Sequence, residues 1–331
     1  MKSKLLLSLF LVVSLFLTAC GDTEKSSNNT ADTLTVYTTV YPLQFLAEEI
    51  GGDYVDAESI YPPGANEHTY EPSQKDIIEM TDSDLFLYIG YNLEGFVTSS
   101  KSVLEDEGVP VIAIGENAVE EHEHADENHE SEKATTEDEH DHESEEATTE
   151  DEHDHDHGDV DPHLWLDPHL MIDMAEQVTH ELVALKPEQE EYFEANFEAL
   201  KTKLNTLDEE FAEIIANSTK KEIIVSHAAY GYWESRYGIE QIAVTGLTNS
   251  SEPSQKELEN IMKTAEEHDI HYVLFEQNVS SKLTETIQKE IGAKALTLHN
   301  LSVLTDKDIE NGEDYFSLME SNLETLKTAL N

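Results

Sequence analysis

The chain has 331 residues, 72 of them acidic and 19 basic, for a formal net charge of −53. Such a surface repels nucleic acid and anionic lipid head groups, excludes both as partners, and suits a cation. Cys20 is the single cysteine, so no disulfide can form within the chain, and a length sufficient for two ordinary domains must be held by its core.

The N-terminus reads as a targeting segment. Lys2 and Lys4 precede an apolar run from Leu5 to Leu17. That run is about thirteen residues, short of the ~20 needed for a spanning helix. Leu17-Thr18-Ala19-Cys20 resembles a bacterial lipobox, with cleavage before Cys20 and a lipid on its thiol. An ordinary secretory signal with an incidental cysteine is the alternative. The expectation is a signal peptide over 1–19, then a flexible tether over 20–32, small and polar in composition. The chain is then extracytoplasmic and lipid-anchored to the outer face of a bacterial cell membrane.

Short runs rich in β-formers follow in order: LTVYTT (34–39), VDAESIY (55–61), LFLYIG (85–90) and VPVIAIG (109–115). After a long polar tract come EIIVS (222–226), IEQIAV (239–244), HYVLFE (271–276) and a run over 294–299. Segments with helical spacing lie between them, including Gln255–His268, Ser280–Ile291 and Gly312–Leu330. Alternating strands and helices predict an α/β fold, with two lobes that each carry a mainly parallel four-stranded sheet flanked by helices. Between the lobes, Pro187 opens a helical pattern reaching Ser218. Tyr192, Phe193, Phe197, Leu200, Leu204, Leu207, Phe211 and Ile214/Ile215 recur at 3–4 spacing. Such a helix is roughly 45 Å long and can join the lobes rigidly, or simply pack in the second one. The expected division is an N-terminal lobe over 33–186, a linking helix over 187–218 and a C-terminal lobe over 219–331.

Residues 120–159 stand apart. They hold acids and histidines and almost nothing to bury, so they are expected to be a disordered loop within the first lobe. EKATTEDEHDH (132–142) recurs as EEATTEDEHDH (145–155), a short duplication that indicates tolerance to length.

Four residues share one context. His68 lies just past the strand at 55–61. His163 lies where the polar tract ends and a helix begins. His227 follows KEIIVS, and Glu276 ends HYVLFE. Parallel α/β sheets bind ligands beyond the carboxyl ends of their strands. A metal held by all four would sit in the cleft between the lobes. Taken singly, each histidine also fits a hydrogen-bonded structural role, and Glu276 also fits a surface acid.

The stretches NEHTYEPSQKDI, DPHLWLDPHL, IIVSHAAYGYWESRYGI, SSEPSQKELENIM and YVLFEQNVSSKLTETIQKEIG, in this order, resemble the cluster A-I metal-binding solute-binding lipoproteins, zinc type, of ABC importers. The resemblance covers nearly the whole chain from about residue 33. It implies two α/β lobes joined by a rigid helix and one metal in the cleft, held by His68, His163, His227 and Glu276. The manganese members resemble a set of two histidines and two carboxylates, with an acid where His227 stands here. Three imidazoles and one carboxylate suit zinc, whereas manganese prefers more oxygen. Zinc ion and an ABC permease are the implied partners, and a monomer is expected.

His122, His124, His129, His140, His142, His153, His155 and His157 read as an auxiliary weak zinc-binding tract that captures, delivers or senses the ion. A solvated tract without that role is the alternative. His169, His180, His268, His271 and His299 read as ordinary surface, capping or structural residues. Trp165, Tyr230, Tyr232 and Trp233 either line the cleft or pack in the core. The chain is not expected to be an enzyme, because four protein ligands close a tetrahedral zinc site and no HExxH is present. A manganese importer component, a zinc-dependent hydrolase using Glu276 as base, and a metal-regulated surface adhesin are the competing readings.

Overall fold

The computed structural model describes residues 33–116, 118, 160–247, 253–277 and 281–331. The expected signal peptide, Cys20, the tether and the histidine-rich tract lie outside these residues.

Strand β1 (Leu34–Thr38) pairs in parallel with β2 (Val55–Ser59) on one side and β3 (Leu85–Tyr88) on the other, and β4 (Val111–Ala113) follows β3. The second sheet repeats this wiring. Strand β5 (Glu222–His227) lies between β6 (Glu240–Thr245) and β7 (Tyr272–Phe275), with β8 (Lys294–Thr297) outside β7. The orders are β2-β1-β3-β4 and β6-β5-β7-β8. Every pairing is parallel, so each sheet needs cover on both faces, and its central strands read as unbroken apolar runs. Leu85, Phe86 and Leu87 of β3 are all fully buried.

The helices start where the sequence caps them. Ser73, Ser254, Thr305 and Asp314 each form a capping box. Asp167 caps α4 (Pro168–Leu185) by accepting the His169 N–H at 2.8 Å. The segment expected as one amphipathic unit from Gly312 begins later. Gly312, with φ of 71°, ends α9 (Asp306–Asn311), and the last helix α10 spans Tyr315–Ala329.

The long helix α5 spans Glu190–Asn217, 28 residues, or about 42 Å. A 3-10 turn at Pro187–Gln189 precedes it, so the α-helix starts three residues later than Pro187 itself. Phe193, Phe197, Leu200, Leu204, Leu207, Phe211 and Ile215 form its buried stripe. Its first half packs on the N-terminal lobe. Phe193 meets the edge of Tyr54 at 6.3 Å, and Asn196 Nδ2 donates to the Ile50 carbonyl at 2.9 Å. Its second half packs on the C-terminal lobe, with Phe211 at 5.3 Å from Trp233 and 5.6 Å from Tyr237.

Helix α10 also spans the two. Tyr315 stacks on Phe45 of α1 (Tyr41–Gly51) at 5.4 Å, and its hydroxyl donates to the Trp165 carbonyl at 2.8 Å. The main core therefore runs without a break through both lobes. A smaller cluster, including Ile224, Val273, Ile261 and Ile287, fills the space between the second sheet and helices α7 (Gln255–Glu267) and α8 (Lys282–Glu290). Among the described residues no helix is long and apolar enough to cross a membrane.

Candidate metal centre

Three elements deliver three imidazoles to one buried point. His68 sits on the turn after β2, where Asn66 Oδ1 accepts its backbone N–H at 3.1 Å, an Asx turn. His163 precedes a 3-10 turn, Leu164–Leu166. Asp161 Oδ1 holds it twice, through the backbone N–H at 3.0 Å and through Nδ1 at 2.7 Å. His227 is the last residue of β5. Its Nδ1 meets Glu276 Oε1, which also accepts the Ser226 hydroxyl at 3.0 Å. Both His163 and His227 are fully buried.

The tautomers follow from the partners. An ionised carboxylate only accepts, so Nδ1 of His163 and of His227 each carries a hydrogen. The two Nε2 atoms then face each other at 3.3 Å. One proton or one metal ion between them satisfies both. Tetrahedral zinc with Zn–N bonds of ~2.0–2.1 Å has ligand–ligand edges of roughly 3.3 Å. The His68 ring lies 5.5 Å from that of His163 and 5.7 Å from that of His227. Its Nε2 is buried and has no hydrogen-bond partner.

Burial, with the charges of His163 and His227 nearby, pushes the His68 imidazole down to about 3. It is neutral and has a lone pair to give near pH 7. Burial also pushes His227 down, but the hydrogen bond and charge of Glu276 overturn that and leave it above the ordinary imidazole value. Burial first, then the charge of Glu276, raises Glu67 above the usual carboxylate range.

The carboxylates are arranged differently from the sequence expectation. Glu67, His68, His163 and His227 offer ligand atoms all within 4.8 Å of one another. Glu276 stands behind His227, against its Nδ1, with Oε2 accepting from Asn300 Nδ2 at 3.0 Å. Glu67 was not singled out from the sequence. Its signal there is its place directly before His68 in NEHTY.

Among the described residues, the remaining histidines lie apart from this point. His299 is buried and bonds Asp308 at 3.2 Å, His268 bonds Glu222 at 2.7 Å, and His271 pairs with Asp269 at 3.2 Å. His169 gives its backbone N–H to Asp167. The eight histidines from His122 to His157 lie outside the described residues. The aromatics form the seam around the centre rather than an open wall. Trp165 lies 5.3 Å from the His163 ring and donates Nε1 to the Asn300 carbonyl at 2.7 Å. Trp233 Nε1 donates to the Leu166 carbonyl at 2.7 Å, Tyr230 to the Leu298 carbonyl at 3.3 Å, and Tyr232 to the Asp161 carbonyl at 2.6 Å.

The zinc-binding protein AdcA of Streptococcus pyogenes serotype M3 is 34% identical over 335 residues, covering 99% of this chain and 61% of that protein. The chain thus spans about three fifths of the length of the streptococcal relatives it matches. The high-affinity zinc uptake system protein ZnuA of Bacillus subtilis is 33% identical, with 97% of each chain covered. The crystal structure of the Zn(II)-bound ZnuA-like domain of Streptococcus pneumoniae AdcA superposes with a TM-score of 0.68 at 30% identity, over 90% of this chain and 99% of that one. The family model described as zinc-uptake complex component A, periplasmic, matches residues 36–329. By the length of that match and by these relatives, the chain belongs to the family of periplasmic zinc-uptake component A.

Proposed function

We propose that the chain captures a zinc ion outside the cytoplasm, in the cleft between its two lobes, and presents it to the membrane permease of an ABC importer. A lipid on Cys20 would keep it at the outer face of the membrane. The protein binds and releases its cargo as a monomer and performs no chemistry on it.

The observation that carries this reading is the pair of imidazole nitrogens, Nε2 of His163 and of His227, at 3.3 Å across the lobes. That spacing is the edge of a zinc tetrahedron. His68, whose buried Nε2 has no hydrogen-bond partner and lies 3.9 Å from Glu67 Oε1, supplies the third donor. Glu276 is the proposed fourth, so that each lobe gives two ligands. Its carboxylate already touches the His227 ring, and it reaches the ion by moving from Nδ1 toward the centre. A second reading gives the fourth place to Glu67, whose carboxylate belongs to the 4.8 Å set. Glu276 then acts from behind, holding His227 as carboxylates commonly hold metal-bound imidazoles. Zinc over manganese follows from three nitrogen donors under either reading.

The test is a zinc titration against a competing chelator on the wild type and on His68→Ala, His163→Ala, His227→Ala, Glu67→Gln and Glu276→Gln. Each histidine variant should lose at least about a hundredfold in affinity. The glutamate whose variant loses as much is the ligand, and the other should lose less. Retention of tight binding by all three histidine variants would remove the cleft as the zinc site.

A further inference from the structure

Beside the imidazoles lies a buried segment, His299–Ser302, just past β8. Asn300 within it is 2% exposed. Its side-chain oxygen accepts the Ser302 N–H at 3.1 Å, the Ser302 hydroxyl at 2.9 Å and Gln277 Nε2 at 2.9 Å. A backbone N–H can only donate, so the amide orientation is fixed and its NH2 faces the other way. There it gives one hydrogen to Glu67 Oε1 at 3.1 Å and the other to Glu276 Oε2 at 3.0 Å. One acid comes from each lobe, and both are buried, 3% and 5% exposed.

The backbone of Asn300 is pinned as firmly. Its N–H donates to Gln277 Oε1 at 3.1 Å, and its carbonyl accepts Trp165 Nε1 at 2.7 Å. The next residue, Leu301, takes a left-handed backbone with φ of 59°. That region is unusual for leucine and is held here by its surroundings. The segment is thus built to place one amide between two acids.

We propose that Asn300 is a positioning residue that sets the metal preference of the cleft by capping one oxygen of each carboxylate. With Oε1 of Glu67 and Oε2 of Glu276 turned toward the amide, Glu67 has only Oε2 left uncapped, and Glu276 only Oε1, which holds the His227 ring and the Ser226 hydroxyl and must leave them to reach an ion. Neither can grip it with both. Three imidazoles and single carboxylate oxygens make a small, nitrogen-rich shell that suits zinc. Manganese and calcium draw on more oxygen donors and on bidentate carboxylates, and the cap withholds those oxygens. The inference holds whichever acid ligates, and it rests on the cleft being the zinc site.

The experiment uses the full-length chain as wild type, Asn300→Ala, Asn300→Ser and His227→Ala. Asn300→Ser keeps a short oxygen for the Ser302 N–H but cannot span the two acids. Each protein is titrated with zinc and with manganese against chelators, then loaded with cobalt(II) as a spectroscopic probe of coordination number. Both Asn300 variants should lose at least about tenfold in preference for zinc over manganese. Their cobalt absorption should weaken as the shell gains oxygen donors. If zinc and manganese affinities fall by equal factors and the cobalt intensity stays at the wild-type value, Asn300 is only a structural residue and the inference is wrong. Wild-type preference in both variants overturns it as well. The His227→Ala protein tests the premise separately: undiminished zinc binding there would show that the cleft is not the zinc site, and both readings would fall together.

Discussion

Nε2 of His163 and Nε2 of His227 lie 3.3 Å apart although they come from opposite lobes and are 64 residues apart in the chain. Each ring is held from behind by a carboxylate on its Nδ1, Asp161 for His163 and Glu276 for His227. The two halves of the fold therefore bring matching carboxylate–imidazole pairs to one point. A cation placed there joins lobes that the sequence alone keeps far apart.

Acid should weaken zinc binding, beginning above the ordinary imidazole range. Glu276 holds the His227 value above 6.5, so at falling pH a proton claims that ring before any ordinary histidine titrates. His68, pushed down to about 3, contributes no proton competition until far lower pH. Removing the charge with Glu276→Gln leaves burial, which favours the neutral ring, opposed only by the smaller pull of Glu67 and Asp161, so the acid limb should move to lower pH even as affinity drops. Zinc competition titrations between about pH 5 and 8 read this directly. A limb that stays in place in Glu276→Gln would show that Glu276 does not set the His227 proton.

Gly231→Ala should weaken zinc binding without touching a ligand. A Cβ at Gly231 would lie 2.7 Å from Asp161 Oδ2, so the carboxylate that orients His163 has to shift. The expected loss is about tenfold, the low end for disturbing a residue behind a metal-bound histidine. Asp161→Asn should lose affinity in the same direction. Wild-type affinity in Gly231→Ala would mean that His163 needs no such support.

Arg236→Lys should destabilise the fold rather than the site. Arg236 of α6 (Gly231–Tyr237) donates two parallel hydrogen bonds to Asp208 on the long helix, at 2.7 and 2.8 Å, and lies 3.5 Å from the buried helix cap Asp167. Lysine has the charge but not the fork. Urea unfolding of the variant should show a loss of about 1–3 kcal/mol.

Deleting residues 120–158 should leave one tight zinc site. All the proposed cleft ligands lie outside that span. A competitive chelator titration should recover near wild-type affinity for that site, with only weaker binding removed. Disappearance of the tight site from a folded deletion protein would move the principal ligands into the histidine-rich tract.

The eight strands were legible because parallel strands buried on both faces leave unbroken apolar runs, such as LFLY at β3. The long helix showed through the spacing of Phe193, Phe197 and Leu200 onward. His68, His163 and His227 stood out by their place after strands or at a turn. The part Glu67 plays did not, because an acid next to a histidine has no periodicity to mark it. Asn300 was invisible for the same reason: its amide joins residues 233 and 24 positions away, Glu67 and Glu276. The return of Tyr315 onto Phe45 likewise needs the tertiary fold, since nothing local in either segment names its partner.

The unbroken core has a consequence for how the cargo leaves. Residues Leu34–Asn331 form one compact unit, and α5 and α10 each pack on both lobes. Swinging the lobes apart like a clamshell would tear apolar contacts along two helices at once, at a cost comparable to unfolding. Heat should melt the whole body in a single calorimetric transition. Unloading must then be a small local act. The candidate for it is the turn over residues 62–69, which carries His68: residues 62–64 are exposed, and its ties to the other lobe include the Gly64 N–H to the Leu304 carbonyl and the Asn300 amide to the buried Glu67. On the proposed function, a transporter that grasps this turn would open the zinc site by breaking those ties and lifting His68, with the scaffold left as it is.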